Sequence, residues 1–101
     1  IPKIHCQTIL DLPEEATASF ISAVKIVDQA LLKSLEAAGL TIGINQGRVA
    51  GQAVEHLHLH LLPRFLDDGG SSIHGVVNNP PRESLGMVAE KIKAYFSGNQ
   101  Y

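Results

Sequence analysis

Between residues 12 and 38 apolar side chains return every three or four positions, at Phe20, Val24, Val27, Leu31 and Leu35, and this period predicts one long amphipathic helix. Asp11 stands ahead of Leu12-Pro13-Glu14-Glu15. A capping side chain, a first-turn proline and two carboxylates all suit a helix N-terminus, so the helix is expected to start at 12 or 13. Gly39, behind Ala37-Ala38, is the expected stop. From Leu40 to Asn45 the period changes to two, and it does so again from Ala53 to Leu62, with Gly47 and Gly51 bracketing a turn. A hairpin is the economical reading. Pro63 has no ladder donor and is expected to end the second strand. Residues 66–81 are rich in Asp, Gly, Ser, Asn and Pro and read as a long loop. Leu85, Val88, Ile92 and Phe96 restore helical spacing, predicting a second helix of about 14 residues whose tail frays after Gly98. The fold class is α+β, an antiparallel sheet with one long helix and a C-terminal helix. Two strands make a thin sheet, so Ile1–Ile4 is read as the stub of a third.

Composition narrows the class of function. The 101 residues suffice for one domain, and 45% apolar with 18% charged residues suits a packed protein rather than a disordered one. A net charge of -2 removes the electrostatic footprint of a duplex-DNA or anionic-membrane binder. No apolar run approaches the roughly 20 residues needed to span a bilayer. Cys6 is the single cysteine, which suits a reducing compartment, and cytoplasm is the default location. It has no visible base or metal partner and is expected to be buried as a small apolar residue. The chain opens on Ile1-Pro2-Lys3-Ile4-His5 without Met or lead-in, which reads as a fragment.

The most informative stretch is Glu55-His56-Leu57-His58-Leu59-His60-Leu61-Leu62. Alternation on a strand sends three imidazoles to one face and the leucines to the other. A metal site needs ligands that converge, yet at about 3.3 Å per residue His56 and His60 stand roughly 13 Å apart, near the limit for sharing one ion. Neighbours about 6.6 Å apart can instead hold one another's tautomers, leaving one neutral imidazole with a nucleophilic nitrogen. Such a group suits attack on phosphorus. A solvated histidine ladder is the bland alternative.

His56-Leu57-His58-Leu59-His60-Leu61-Leu62 resembles the His-φ-His-φ-His-φ-φ signature of the histidine triad (HIT) superfamily of nucleotide hydrolases and transferases. The likeness extends to Asn45 and to Gly51-Gln52-Ala53-Val54, and Ile1-Pro2-Lys3 with His5 is similar to the strand end that supplies the family's fourth histidine. It covers residues 1–65 well and the rest loosely. The resemblance implies a single HIT-like domain over 1–101 that lacks the family's N-terminal strands. It makes His58 the nucleophile that forms a nucleotidyl-histidine intermediate, with His60, His56 and His5 as its support. Asn45 and Gln52 would donate to the phosphate or leaving group, and Gly51 would let the backbone approach closely. Ala53 replaces the family's usual Ser or Thr, so a hydroxyl contact is missing.

Two substrate branches follow from the resemblance: purine nucleoside phosphoramidates, which would need no cofactor, and dinucleoside polyphosphates, which would bring Mg2+. Leu61-Leu62-Pro63-Arg64 tips the choice toward polyphosphates. The implied partners are a purine nucleotide and a second copy of the chain, without nucleic acid or membrane. The competing readings are a non-catalytic nucleotide-binding dimeric scaffold and a histidine metal-binding protein. His74, in a Gly/Ser-rich loop, reads as surface, Arg64 as facing solvent, and Asp67-Asp68 as turn residues.

Overall fold

The computed structural model describes residues 1–98, so the expected fraying after Gly98 lies outside the described residues. Four elements run in chain order: α1 (Glu14–Ser34), β1 (Gly39–Ile44), β2 (Leu59–Arg64) and α2 (Leu85–Gly98). Short 3-10 turns stand at Ile9–Asp11, Arg48–Ala50 and Ile73–Gly75. The strands pair antiparallel, with Ile44 opposite Leu59 and Gly39 opposite Arg64. α1 lies against both strands, while α2 makes at most a marginal contact with any other element.

α1 starts at Glu14, one or two residues later than its capping signal suggests. Asp11 turns back to accept the Thr8 N–H at 3.1 Å, and the Thr8 hydroxyl accepts from Leu10 N–H at 3.2 Å. This local box consumes the carboxylate and leaves Pro13, with no capping side chain, at the helix entry. The helix also stops earlier, at Ser34, because Glu36 takes a left-handed φ of 54°. Gly39 is thereby released to begin β1.

The second strand departs from expectation at both ends. Alternation begins at Ala53, but the ladder begins at Leu59. Its partner strand ends at Ile44, so residues 53–58 have no ladder neighbour there, and His56 N–H instead closes a tight bend onto the Val54 carbonyl at 2.8 Å. Pro63 does not end β2; it sits opposite Leu40 inside the ladder. A two-stranded sheet gives each strand an open edge, where a missing donor is tolerated. Ile1–Cys6 forms no strand among the described residues; its backbone is tied to the segment leading into β2 by Leu57 N–H, which donates to the Cys6 carbonyl at 2.7 Å.

The core is correspondingly small. Leu57, 1% exposed, and Cys6, 3% exposed, are buried together with Pro2; no other described residue is buried. Leu59 and Leu61 face a groove floored by Phe20, Val24 and Val27 of α1. The Cα radius of gyration, 17.0 Å, exceeds the roughly 13 Å of a compact chain of this length, as the detached α2 requires.

Beyond β2 the loop is pinned where the sequence placed a solvent-facing arginine. The Arg64 guanidinium donates to both Asp68 oxygens at 2.7 and 3.0 Å, to the Thr41 hydroxyl at 2.9 Å and to the Ser71 carbonyl at 2.7 Å. Asp68 also accepts the Phe65 and Gly70 N–H groups. The Arg64 hydrogen bonds, aided by those backbone donors, hold the Asp68 carboxyl well below the usual carboxylate range. A depressed pKa means that the charged latch is fully formed above about pH 4 and is lost only as pH falls from there toward the folded value. Gly70 and Phe65 amide exchange is therefore expected to show constant protection from pH 5 to 8. Asp68→Ala should accelerate both amides several-fold while Ile42 in β1 is unaffected; equal exchange in the two proteins would refute the latch.

Candidate active site

The site forms where the end of β1, the glycine turn and the entry to β2 meet. Gly47 and Gly51 flank the Arg48–Ala50 turn with φ of 87° and 103°, values that L side chains rarely adopt. At Gly51 a Cβ would meet Asn45 only at ordinary contact distance, 3.6 Å from Nδ2. Gly51 is thus required by its backbone angle. The turn brings Asn45, Gly51, Gln52 and Ala53 across from His56, His58 and His60, around an open cavity of about 160 Å³.

The three imidazoles form a row. Ring centroids are 6.0 Å apart from His56 to His58 and 6.4 Å from His58 to His60, the first pair edge-on and the second stacked. Leu57, between the first two, points the other way into the core. His5 does not line the cavity: it stacks behind His56 at 5.1 Å. Among the described residues no group of three or more His, Cys, Asp or Glu is arranged to hold a metal ion, and a row lacks the convergence that a tetrahedral ion demands.

Proton positions follow from the partners. A carbonyl oxygen only accepts, so His58 Nδ1, 2.7 Å from the His56 carbonyl, carries the hydrogen, and in the neutral form of the ring the lone pair is on Nε2. By the same rule His56 Nε2 donates to the Pro2 carbonyl at 3.3 Å. His56 Nδ1 is then an acceptor, and His5 Nδ1, at 3.2 Å, supplies its hydrogen. The Pro2 carbonyl thus sets the hydrogens of the His56–His5 pair, while the His56 backbone carbonyl sets that of His58.

The two amides differ. Asn45 makes no hydrogen bond among the described residues and stands open at the cavity. Gln52 accepts the Gly47 N–H at 2.9 Å and donates to the carbonyls of Gln7 at 2.8 Å and Val54 at 3.2 Å. Both donors of its amide are engaged by carbonyls of the chain itself. Ala53 presents a methyl group at the rim, where it offers no polar contact. His74 is exposed in its loop, and Arg64 is the last residue of β2, at the end of the strand away from the cavity. Sequence reasoning overlooked the carbonyls of Pro2, Cys6 and Gln7, which no side-chain pattern could have announced.

The family model of the HIT domain matches residues 1–67. The chain belongs to the HIT family. This HIT protein is 39% identical over 92% of its length to a HIT-like protein of Methanocaldococcus jannaschii, of which it spans 69%. It is 33% identical over 63% of its length to the adenylylsulfatase HINT3 of Arabidopsis thaliana, spanning 32% of that enzyme. It is 28% identical over 92% of its length to the adenosine 5'-monophosphoramidase HNT1 of Candida albicans, spanning 64%. A solved HIT family structure from Bacillus anthracis superposes on the whole chain with a TM-score of 0.77 at 28% identity, the chain covering 70% of it. That structure shares the α+β arrangement described above. Among the described residues no helix is long and apolar enough to cross a membrane.

Proposed function

We propose that this HIT protein is a nucleotidyl hydrolase that acts at the α-phosphate of adenylyl compounds. The observation that carries the reading is His58, whose Nδ1–H is held by the His56 carbonyl while Nε2 stands unbonded at the cavity. In this reading Nε2 attacks the α-phosphorus as the bond to the leaving group breaks, giving a nucleotidyl-histidine and the released group. Water then attacks the same phosphorus, the P–N bond to His58 breaks, and a mononucleotide leaves. The carbonyl dipole at Nδ1–H stabilises the positive charge that the ring acquires in the intermediate. Asn45 supplies a neutral amide donor toward the phosphoryl oxygens. His60, whose ring stacks 6.4 Å from that of His58 on the open face, hands a proton to the leaving group in this reading.

The named activities of the plant and fungal relatives support adenylyl compounds with small sulfate or amine leaving groups. Such a substrate asks no metal of the protein; a dinucleoside polyphosphate would arrive with Mg2+ on its own phosphates. The test is AMP release from adenosine 5'-phosphoramidate, adenylyl sulfate and a diadenosine polyphosphate, with acid-labile adenylyl-protein trapped by rapid quench. AMP and a trapped adduct are expected with the first two. Saturable nucleotide binding without AMP or adduct would establish the scaffold instead.

A further inference from the structure

Gln52 is bonded in a way that a substrate-binding amide is not. Its carbonyl oxygen fastens the glycine turn through Gly47 N–H, and its Nε2 reaches Gln7, 45 residues away in sequence, as well as Val54. A third carbonyl, that of His56, lies 3.5 Å from the same nitrogen. An amide has two N–H groups, so this longest approach is a shared one. The His56 carbonyl is the group that holds the Nδ1 hydrogen of His58 at 2.7 Å. On its other side Leu57 is tied to Cys6, the neighbour of Gln7. One side chain therefore joins the turn, the segment carrying His5, and the bend carrying His56.

We propose that Gln52 is a positioning residue: by clamping residues 52–56 against Gln7 it orients the His56 carbonyl, and so keeps the His58 proton on Nδ1 and the lone pair on Nε2. This deepens the proposed function and rests on His58 as nucleophile. Without the clamp the 56–57 peptide is free to turn, and the neutral ring is free to carry its hydrogen on Nε2, where no lone pair faces the phosphorus. Gln52 acts through His56 and does not touch the reacting atoms.

The test uses the whole chain with Gln52→Leu, which removes all of these bonds at similar size, and Gln52→Glu, which keeps the acceptor for Gly47 N–H and removes the donors. Multiple-bond 1H–15N NMR reads the His58 tautomer, and kcat and KM are measured on adenosine 5'-phosphoramidate. Both variants are expected to lose the pure Nδ1–H form and to show kcat lowered roughly 10- to 100-fold at nearly constant KM. An unchanged tautomer, or a raised KM at constant kcat, would overturn the proposal, the second pointing to substrate contact. Should Gln52→Leu fail to fold, Gln52→Glu decides; if both fail, Gln52 is a stability element and the positioning role is rejected. The tautomer readout needs no turnover. An unmodified chain that hydrolyses no adenylyl compound would therefore defeat the proposed function while the NMR comparison still judged the clamp.

Discussion

Replacing His58 with alanine is expected to lower kcat by roughly 10³-fold or more, since removing a nucleophile abolishes the covalent route and leaves only binding and polarisation. Nucleotide affinity should change little, because Asn45 and the turn backbone remain in place around the cavity. The melting temperature should also hold: the ring is exposed and its single hydrogen bond is to a neighbouring carbonyl. These three measurements separate chemistry from folding. A variant that kept more than a tenth of the wild-type kcat would remove His58 from the nucleophile's role, however well the rest of the row were arranged.

Leu57→Ala is expected to cost about 3 kcal/mol of stability, toward the lower part of the range for a buried leucine. Leu57 is the one fully enclosed large side chain among the described residues, which argues for a large loss. Its surroundings are half-open, which lets them settle partly into the space and limits the loss. For a fold resting on so small a core this is a large share of the total. Leu62, 50% exposed in β2, provides the control: Leu62→Ala should cost under about 1 kcal/mol. Urea titration followed by circular dichroism of α1 distinguishes the two, and equal midpoints would show that Leu57 is not the keystone of the packing. Activity of Leu57→Ala should fall with its folded fraction, since the residue sits between His56 and His58 and bears the tie to Cys6.

The parts of the fold legible in the sequence are those governed by short-range periodicity. The long helix, the hairpin, the paired glycines of its turn and the C-terminal helix all follow from residues within a few positions of one another. Their limits were less legible wherever two local signals competed. Asp11 could cap α1 or close a box with Thr8, and it does the second. The His and Leu alternation described facing correctly but not pairing, because a ladder also needs a partner, and β1 ends at Ile44. Arg64 was misjudged for a related reason. Its spacing to Asp68 is a local hint, yet the bond that draws it over the sheet goes to Thr41, 23 residues earlier.

By itself the amino-acid order determined the row of imidazoles, the leucines set against them and the glycine turn beside them, since each depends on neighbours along the chain. Only the tertiary structure decided which ring nitrogen carries a proton, that Gln52 is engaged by the chain while Asn45 stands open, and that His5 stands behind His56. Those outcomes depend on backbone carbonyls at Pro2, Cys6 and Gln7, groups that every residue possesses and that acquire a role only when folding brings them within hydrogen-bonding distance.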